Sequence, residues 1–122
     1  MGYNLGKAEG DGELWHGHVS AVTVAPTYRR LGLAKTLMDD FENVCIHTYD
    51  AYFVDLFVRA SNHLAQNMYR KFGYSTYRRV LGYYMGEDPE DALDMRKALP
   101  RDRDKKSVIP LDHPVYPEDL EW

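Results

Sequence analysis

A single cysteine, Cys45, stands in 122 residues. One thiol cannot close an internal disulfide, so packing must hold the fold, and the sequence predicts a reducing, cytoplasmic setting. No apolar run approaches the ~20 residues that a membrane helix needs. No basic stretch leads into an apolar one as in a secretory leader, so no membrane partner is expected. Neither sign of charge is in large excess: 15 Lys and Arg against 19 Asp and Glu leave a net −4. Bulk electrostatics therefore give no reason to expect DNA as a partner, and any anion site must be local. Internal repeats are missing as well.

What is present suits one modest core: 44% apolar and 28% charged residues in 122. Two strand-like runs flank Gly10-Asp11-Gly12 and predict a hairpin. In the second run His18, Ser20, Val22 and Val24 fall on one face and Val19, Ala21 and Thr23 on the other, until Pro26 ends the strand. Leu33, Ala34, Leu37, Met38, Phe41, Val44 and Cys45 then recur at helical spacing, with Lys35, Asp39, Asp40 and Glu42 opposite them. Cys45 lies on the apolar side, which predicts a core thiol rather than a nucleophile.

The run "AYFVDLFVR" predicts a buried strand, and strand–helix–strand predicts a parallel crossover. "SNHLAQNMYRKFG" predicts a second helix, capped by Ser61 or Asn62 and stopped at Gly73. "YSTYRRVLGYYM" is an aromatic strand with Gly82 as a bulge, "GEDPEDA" a charged loop, and "LDMRKAL" a last strand. The order is ββαβαββ: an α/β (α+β) fold with a mixed central sheet over residues 1–99 and an extended, proline-broken tail over 100–122.

Between the second strand and the first helix stands "APTYRRLGLA". Orphan amides at a helix start, a glycine that permits close approach, and Arg29 and Arg30 suit a diphosphate; a solvated basic turn explains the same residues. The pattern Arg29-x-x-Gly32-x-Ala34 after a strand resembles the cofactor motif of the GCN5-related N-acetyltransferases. That resemblance implies acetyl-CoA bound by Val22, Val24, Arg29, Arg30, Leu31, Gly32, Leu33 and Ala34. It implies two strands that splay around the pantetheine arm, and Asn62, Asn67 and Tyr69 beside the same cofactor.

"LWHGHV", "FVDLFVRASN", "NMYRKFGYS", a tyrosine pair, "DMRKAL" and "KKSVIPL" narrow the resemblance to catalytic subunits of the NatB type of N-terminal acetyltransferase. It runs from Met1 almost to Trp122 and implies acetylation of nascent N-termini that begin Met-Asp, Met-Glu, Met-Asn or Met-Gln. It also implies a large auxiliary subunit as partner and approach to the ribosome. Met1 aligns with the family's third strand, so the resemblance implies that the N-terminal part is lacking. With that part would go one wall of the peptide site and much of the contact with the partner. The alternative function is then a catalytically silent module that binds cofactor or partner.

Within the implied site Tyr69 is the candidate acid for the departing thiolate, since a phenol with a pKa of about 10 carries its proton near neutrality. Tyr69 also lies on its helix's apolar face, where packing alone would place it. His18 is the candidate for proton relay or for contact with the substrate's second side chain, together with Ser20. Phe57 is expected to line the pocket for the first methionine, and Tyr83 and Tyr84 to close over the peptide, strand alternation allowing one of the two to face it. His16 and His18 lack a third ligand at suitable spacing, so no metal is expected.

Overall fold

The computed structural model describes residues 6–10, 12–19, 28–86 and 88–120. Five strands form one sheet in the order β1-β2-β3-β5-β4. They are β1 (Gly6–Glu9), β2 (His16–Val19), β3 (Phe53–Arg59), β4 (Ser75–Tyr84) and β5 (Glu90–Ala98), with helices α1 (Tyr28–His47) and α2 (His63–Lys71) between them. The chain order is the expected ββαβαββ. β1 runs antiparallel to β2, β2 parallel to β3 through the α1 crossover, and β5 antiparallel to both β3 and β4.

The period of two sorts the sheet into two unlike faces. Val19, Val54, Leu56, Val58 and Met95 point to one side and meet Ala34, Met38 and Cys45 of α1 and Met68 and Tyr69 of α2. Helix α1 comes so close to β2 that a Cβ on Gly17 would lie 2.4 Å from the Cys45 sulfur. On the other side the register aligns His16 with Phe53, His18 with Asp55, Asp55 with Arg96, Phe57 with Asp94, and Asp94 with Arg78. That face is largely polar, yet His16, Asp55, Asp94, Arg78 and Arg96 are all buried.

Several elements differ from the sequence expectation. A short 3-10 turn, Gly12–Leu14, follows Gly10 and lengthens the link between β1 and β2 beyond a tight hairpin. Glu42 is buried rather than solvated, because the Tyr74 hydroxyl and the Lys97 ammonium both donate to its carboxylate, at 2.7 and 2.9 Å. Val44, placed on the apolar face by its spacing, is exposed. Residues 90 and 91 belong to β5, not to a loop, and their carboxylates accept from Arg59 and Ser61 and from Arg79 and the Gly82 amide.

After Leu99 the chain turns back across β4. Val115 N–H donates to Arg79 O at 2.9 Å, Leu81 N–H to Val115 O at 2.8 Å, and Leu111 N–H to Tyr77 O at 2.8 Å. These bonds cover the outer edge of β4, which would otherwise offer a free row of backbone groups.

Candidate active site

The described pairing of β2 with β3 runs from His16 opposite Phe53 to Val19 opposite Leu56, while β3 continues to Arg59. Around that C-terminal end of β3 the side chains of interest gather. Ser20, Val22 and Val24, and with them the expected splay of the strands, lie outside the described residues.

His18 holds the inner part. Its Nδ1 lies 2.7 Å from Oδ1 of Asp55, and its ring meets Phe57 edge-on at 5.5 Å. Phe57 in turn meets Tyr83 edge-on at 4.7 Å, and Tyr83 meets Tyr84 at 5.1 Å. Alternation along β4 predicts that the two tyrosines diverge, but both rings join this cluster. Gly82, at φ +63°, and the register shift between Val80 and Tyr84 break the pleat just before them. Arg59 stacks over the Tyr84 ring at 4.4 Å and is held from behind by Glu90 at 3.2 Å.

Tyr69 approaches from α2. It is buried among Phe72 and Tyr74, and burial together with the neighbouring Tyr84 pushes its phenol up to about 12. The phenol therefore keeps its proton at neutral pH and has it available for a departing thiolate. On the same helix Asn67 is exposed and accepts from Arg70 at 3.1 Å. Asn62 is the N-cap of α2, its Oδ1 accepting from Ala65 N–H at 3.1 Å. The cap consumes its carbonyl, so its own structural duty is clear.

The arginine–glycine stretch sits differently from its expected place. Helix α1 begins at Tyr28, so Gly32 lies about one turn inside and its N–H is committed to the helix. The amides of Tyr28, Arg29 and Arg30 fall in its first turn, where a helix leaves N–H groups without an intrahelical acceptor. The side chains of Arg29, Arg30 and Leu31 are outside the described residues. Gly32 is exposed with open space where a Cβ would stand, Leu33 is half exposed, and Ala34 is buried in the core rather than turned to the helix end. A helical first turn that carries two arginine positions, with Gly32 exposed after it, fits a diphosphate-bearing substrate.

A second layer, which the sequence reading did not single out, lies under His18. Asp55 is fully buried, and His18 holds its carboxyl below the usual carboxylate range against the opposing effect of burial. The carboxyls of Asp55 and Asp94 act on each other across this face, and burial with the charge of Asp55 pushes Asp94 well up. Arg78 donates to Asp94 at 2.9 Å, and Arg96 lies 3.8 Å from it, sandwiched between Phe53 and Tyr77. The available signal was Asp55 itself, a charge in the middle of an apolar strand. His16 stacks flat on Phe53 at 4.6 Å, with Nε2 3.5 Å from Asp55. Glu9, which the sequence spacing did not offer, brings a third ligand atom within 4.8 Å of those of His16 and His18, whose Nδ1 atoms are engaged with Leu14 O and Asp55.

Residues 1–74 match the acetyltransferase (GNAT) family model. The chain is 63% identical over 122 residues to the N-terminal acetyltransferase B complex catalytic subunit NAA20 of Arabidopsis thaliana, and spans 69% of that relative's length. It is similar to the crystal structure of Chaetomium thermophilum Naa20 in complex with a bisubstrate analogue. There the TM-score is 0.79 and the identity 40%, over 93% of this chain and 68% of that one. It is also similar to a chain of the NatB acetyltransferase complex bound to CoA and MES, with a TM-score of 0.65 and 48% identity over 78% of this chain and 62% of the other.

Proposed function

The chain belongs to the GNAT acetyltransferase family, and from that premise we propose that it is the catalytic subunit of a NatB-type N-terminal acetyltransferase. It moves the acetyl group of acetyl-CoA to the α-amine of protein N-termini. The single observation that carries this reading is the grouping of His18, Phe57, Tyr83 and Tyr84 at the end of β3, with Tyr69 beside Tyr84. Its relatives supply the rest: a subunit of the acetyltransferase B complex and structures holding a bisubstrate analogue or CoA.

In this reading the first-turn amides of α1, with Arg29 and Arg30, take the diphosphate of acetyl-CoA. Asn67 and Leu33 border its arm. The peptide enters over Phe57, whose ring suits a methionine thioether, and Tyr83 and Tyr84 flank its backbone. His18 contacts the second side chain, which is Asp, Glu, Asn or Gln, or relays the proton from the incoming amine. Once nitrogen has attacked the thioester carbonyl and the C–S bond breaks, Tyr69 gives its proton to the thiolate. Holding amine and thioester together supplies much of the rate.

A NatB auxiliary subunit is the partner that the relatives support. Work on nascent chains would set the protein at the ribosome in the cytoplasm, which belongs to the proposal. The direct experiment is acetyl transfer to a Met-Asp peptide by the chain with its auxiliary subunit, beside a polyamine control. Transfer to the peptide alone is the expected result. Acetyl-CoA binding without transfer would favour the silent module.

A further inference from the structure

Asp55 shows no exposure at all, although it sits one residue pair away from the surface that Phe57 and His18 share. A buried carboxylate is costly unless charged or donating neighbours meet it. Here the neighbours come from every adjoining strand. His16 and His18 approach from β2, Asp94 and Arg96 from β5 and Tyr83 from β4, while Arg78 of β4 meets Asp94. Glu9 of β1 stands beside the two histidines. Burying charges in such a cluster is a weak source of stability, since desolvation offsets much of their mutual attraction. What it does supply is a fixed orientation for the one member that reaches the cleft. That member is His18, whose side chain is 18% exposed against 0% for Asp55.

We infer that Asp55 is a positioning residue for His18: at 2.7 Å it accepts the hydrogen bond of Nδ1–H, holds the ring edge-on to Phe57, and leaves proton exchange with the substrate to Nε2. Asp94, with Arg78 and Arg96 behind it, keeps the Asp55 carboxylate in its single orientation. A carboxylate on one imidazole nitrogen selects the tautomer and raises the ring's affinity for a proton. The inference rests on the reading above in one respect only, that His18 faces the peptide.

Two experiments test it on the full chain with the auxiliary subunit. In Asp55→Asn the side-chain oxygen still accepts from Nδ1 while the charge is gone. The acidic inflection in the pH profile of kcat/KM for a Met-Asp peptide should move to lower pH by about one unit. At neutral pH kcat/KM should fall roughly tenfold, with acetyl-CoA affinity within about twofold of the parent's. In Asp55→Ala the ring is also released, and the loss should be greater. A D55N profile that overlays the parent's, or a loss confined to acetyl-CoA affinity, overturns the inference. The second measurement needs neither the variants nor activity. Nitrogen-15 spectra of the histidine rings in the parent should show neutral His18 protonated at Nδ1. Protonation at Nε2 overturns the inference even if the variants do not fold. A parent that fails to acetylate peptides while showing the Nδ1–H tautomer would sink the functional reading and leave the Asp55–His18 link standing.

Discussion

The Tyr74 hydroxyl donates to Oε2 of Glu42 at 2.7 Å, and so ties the turn after α2 to the middle of α1. Lys97 donates to the other oxygen at 2.9 Å, so one carboxylate joins both helices to β5. Glu42→Ala leaves the Tyr74 hydroxyl without its acceptor and Lys97 with Phe72 O in place of the carboxylate, and should cost about 2–4 kcal/mol of unfolding free energy. Tyr74→Phe leaves Lys97 to serve the carboxylate and should cost nearer ~1 kcal/mol. Chemical denaturation of both variants checks the order. Equal costs would mean that the carboxylate does not act as the shared anchor.

Packing between α1 and β2 leaves no room at Gly17. Gly17→Ala drives a methyl against the Cys45 sulfur at 2.4 Å and should destabilise by about 1–3 kcal/mol. Phe41 carbons at 3.1 Å limit the escape. Pairing the change with Cys45→Ala should restore about half of the loss or more, because the atom struck first is then gone. Additive losses, read from thermal or denaturant unfolding, would contradict this geometry.

Burial and Glu42 push the Cys45 thiol up to about 11. A thiol so placed stays protonated near neutrality and reacts slowly. Iodoacetamide should label the folded chain at a rate set by its opening, and label it at once in denaturant. Mass spectrometry over time reads the difference, and rapid labelling of the native chain would refute the assignment of Cys45 to the core.

Burial lowers the proton affinity of His16 below its ordinary 6.5, and the Asp55 charge offsets this only in part. Glu9 also raises it, and Arg96 lowers it. The folded state thus binds the proton less well than the unfolded chain. Its contribution to stability is complete above about 6.5 and drains away as pH falls toward the folded value. The fall in Tm between pH 7 and pH 5 should be smaller in His16→Gln than in the parent. An unchanged slope would show that His16 does not titrate differently on folding.

Tyr69→Phe keeps the ring and removes the proton. Turnover should fall roughly a hundredfold while acetyl-CoA affinity stays nearly constant, as expected for a group that acts when the thiolate departs. In the parent, the phenol at about 12 means that no basic limb from Tyr69 appears in the profile below that range. Stopped assays and calorimetry separate the two quantities, and equal turnover would remove Tyr69 from the chemistry.

The order of strands and helices, the two helix faces in outline, the cap at Asn62 and the stop at Gly73 were legible in the sequence, because each rests on residues within a few positions of one another. So was the family likeness, carried by Arg29-x-x-Gly32-x-Ala34 and by Asn67 and Tyr69 in step behind it. Only the tertiary structure decided that β5 inserts between β3 and β4, that Glu42 turns inward, and that the tail closes the β4 edge. Only there, too, do His18, Asp55, Asp94, Arg78 and Arg96 become neighbours, since they come from four strands whose register is set by backbone pairing across the sheet. A period along the chain says which way a side chain points; what it meets there depends on pairings between distant segments, and those form only as the whole sheet does.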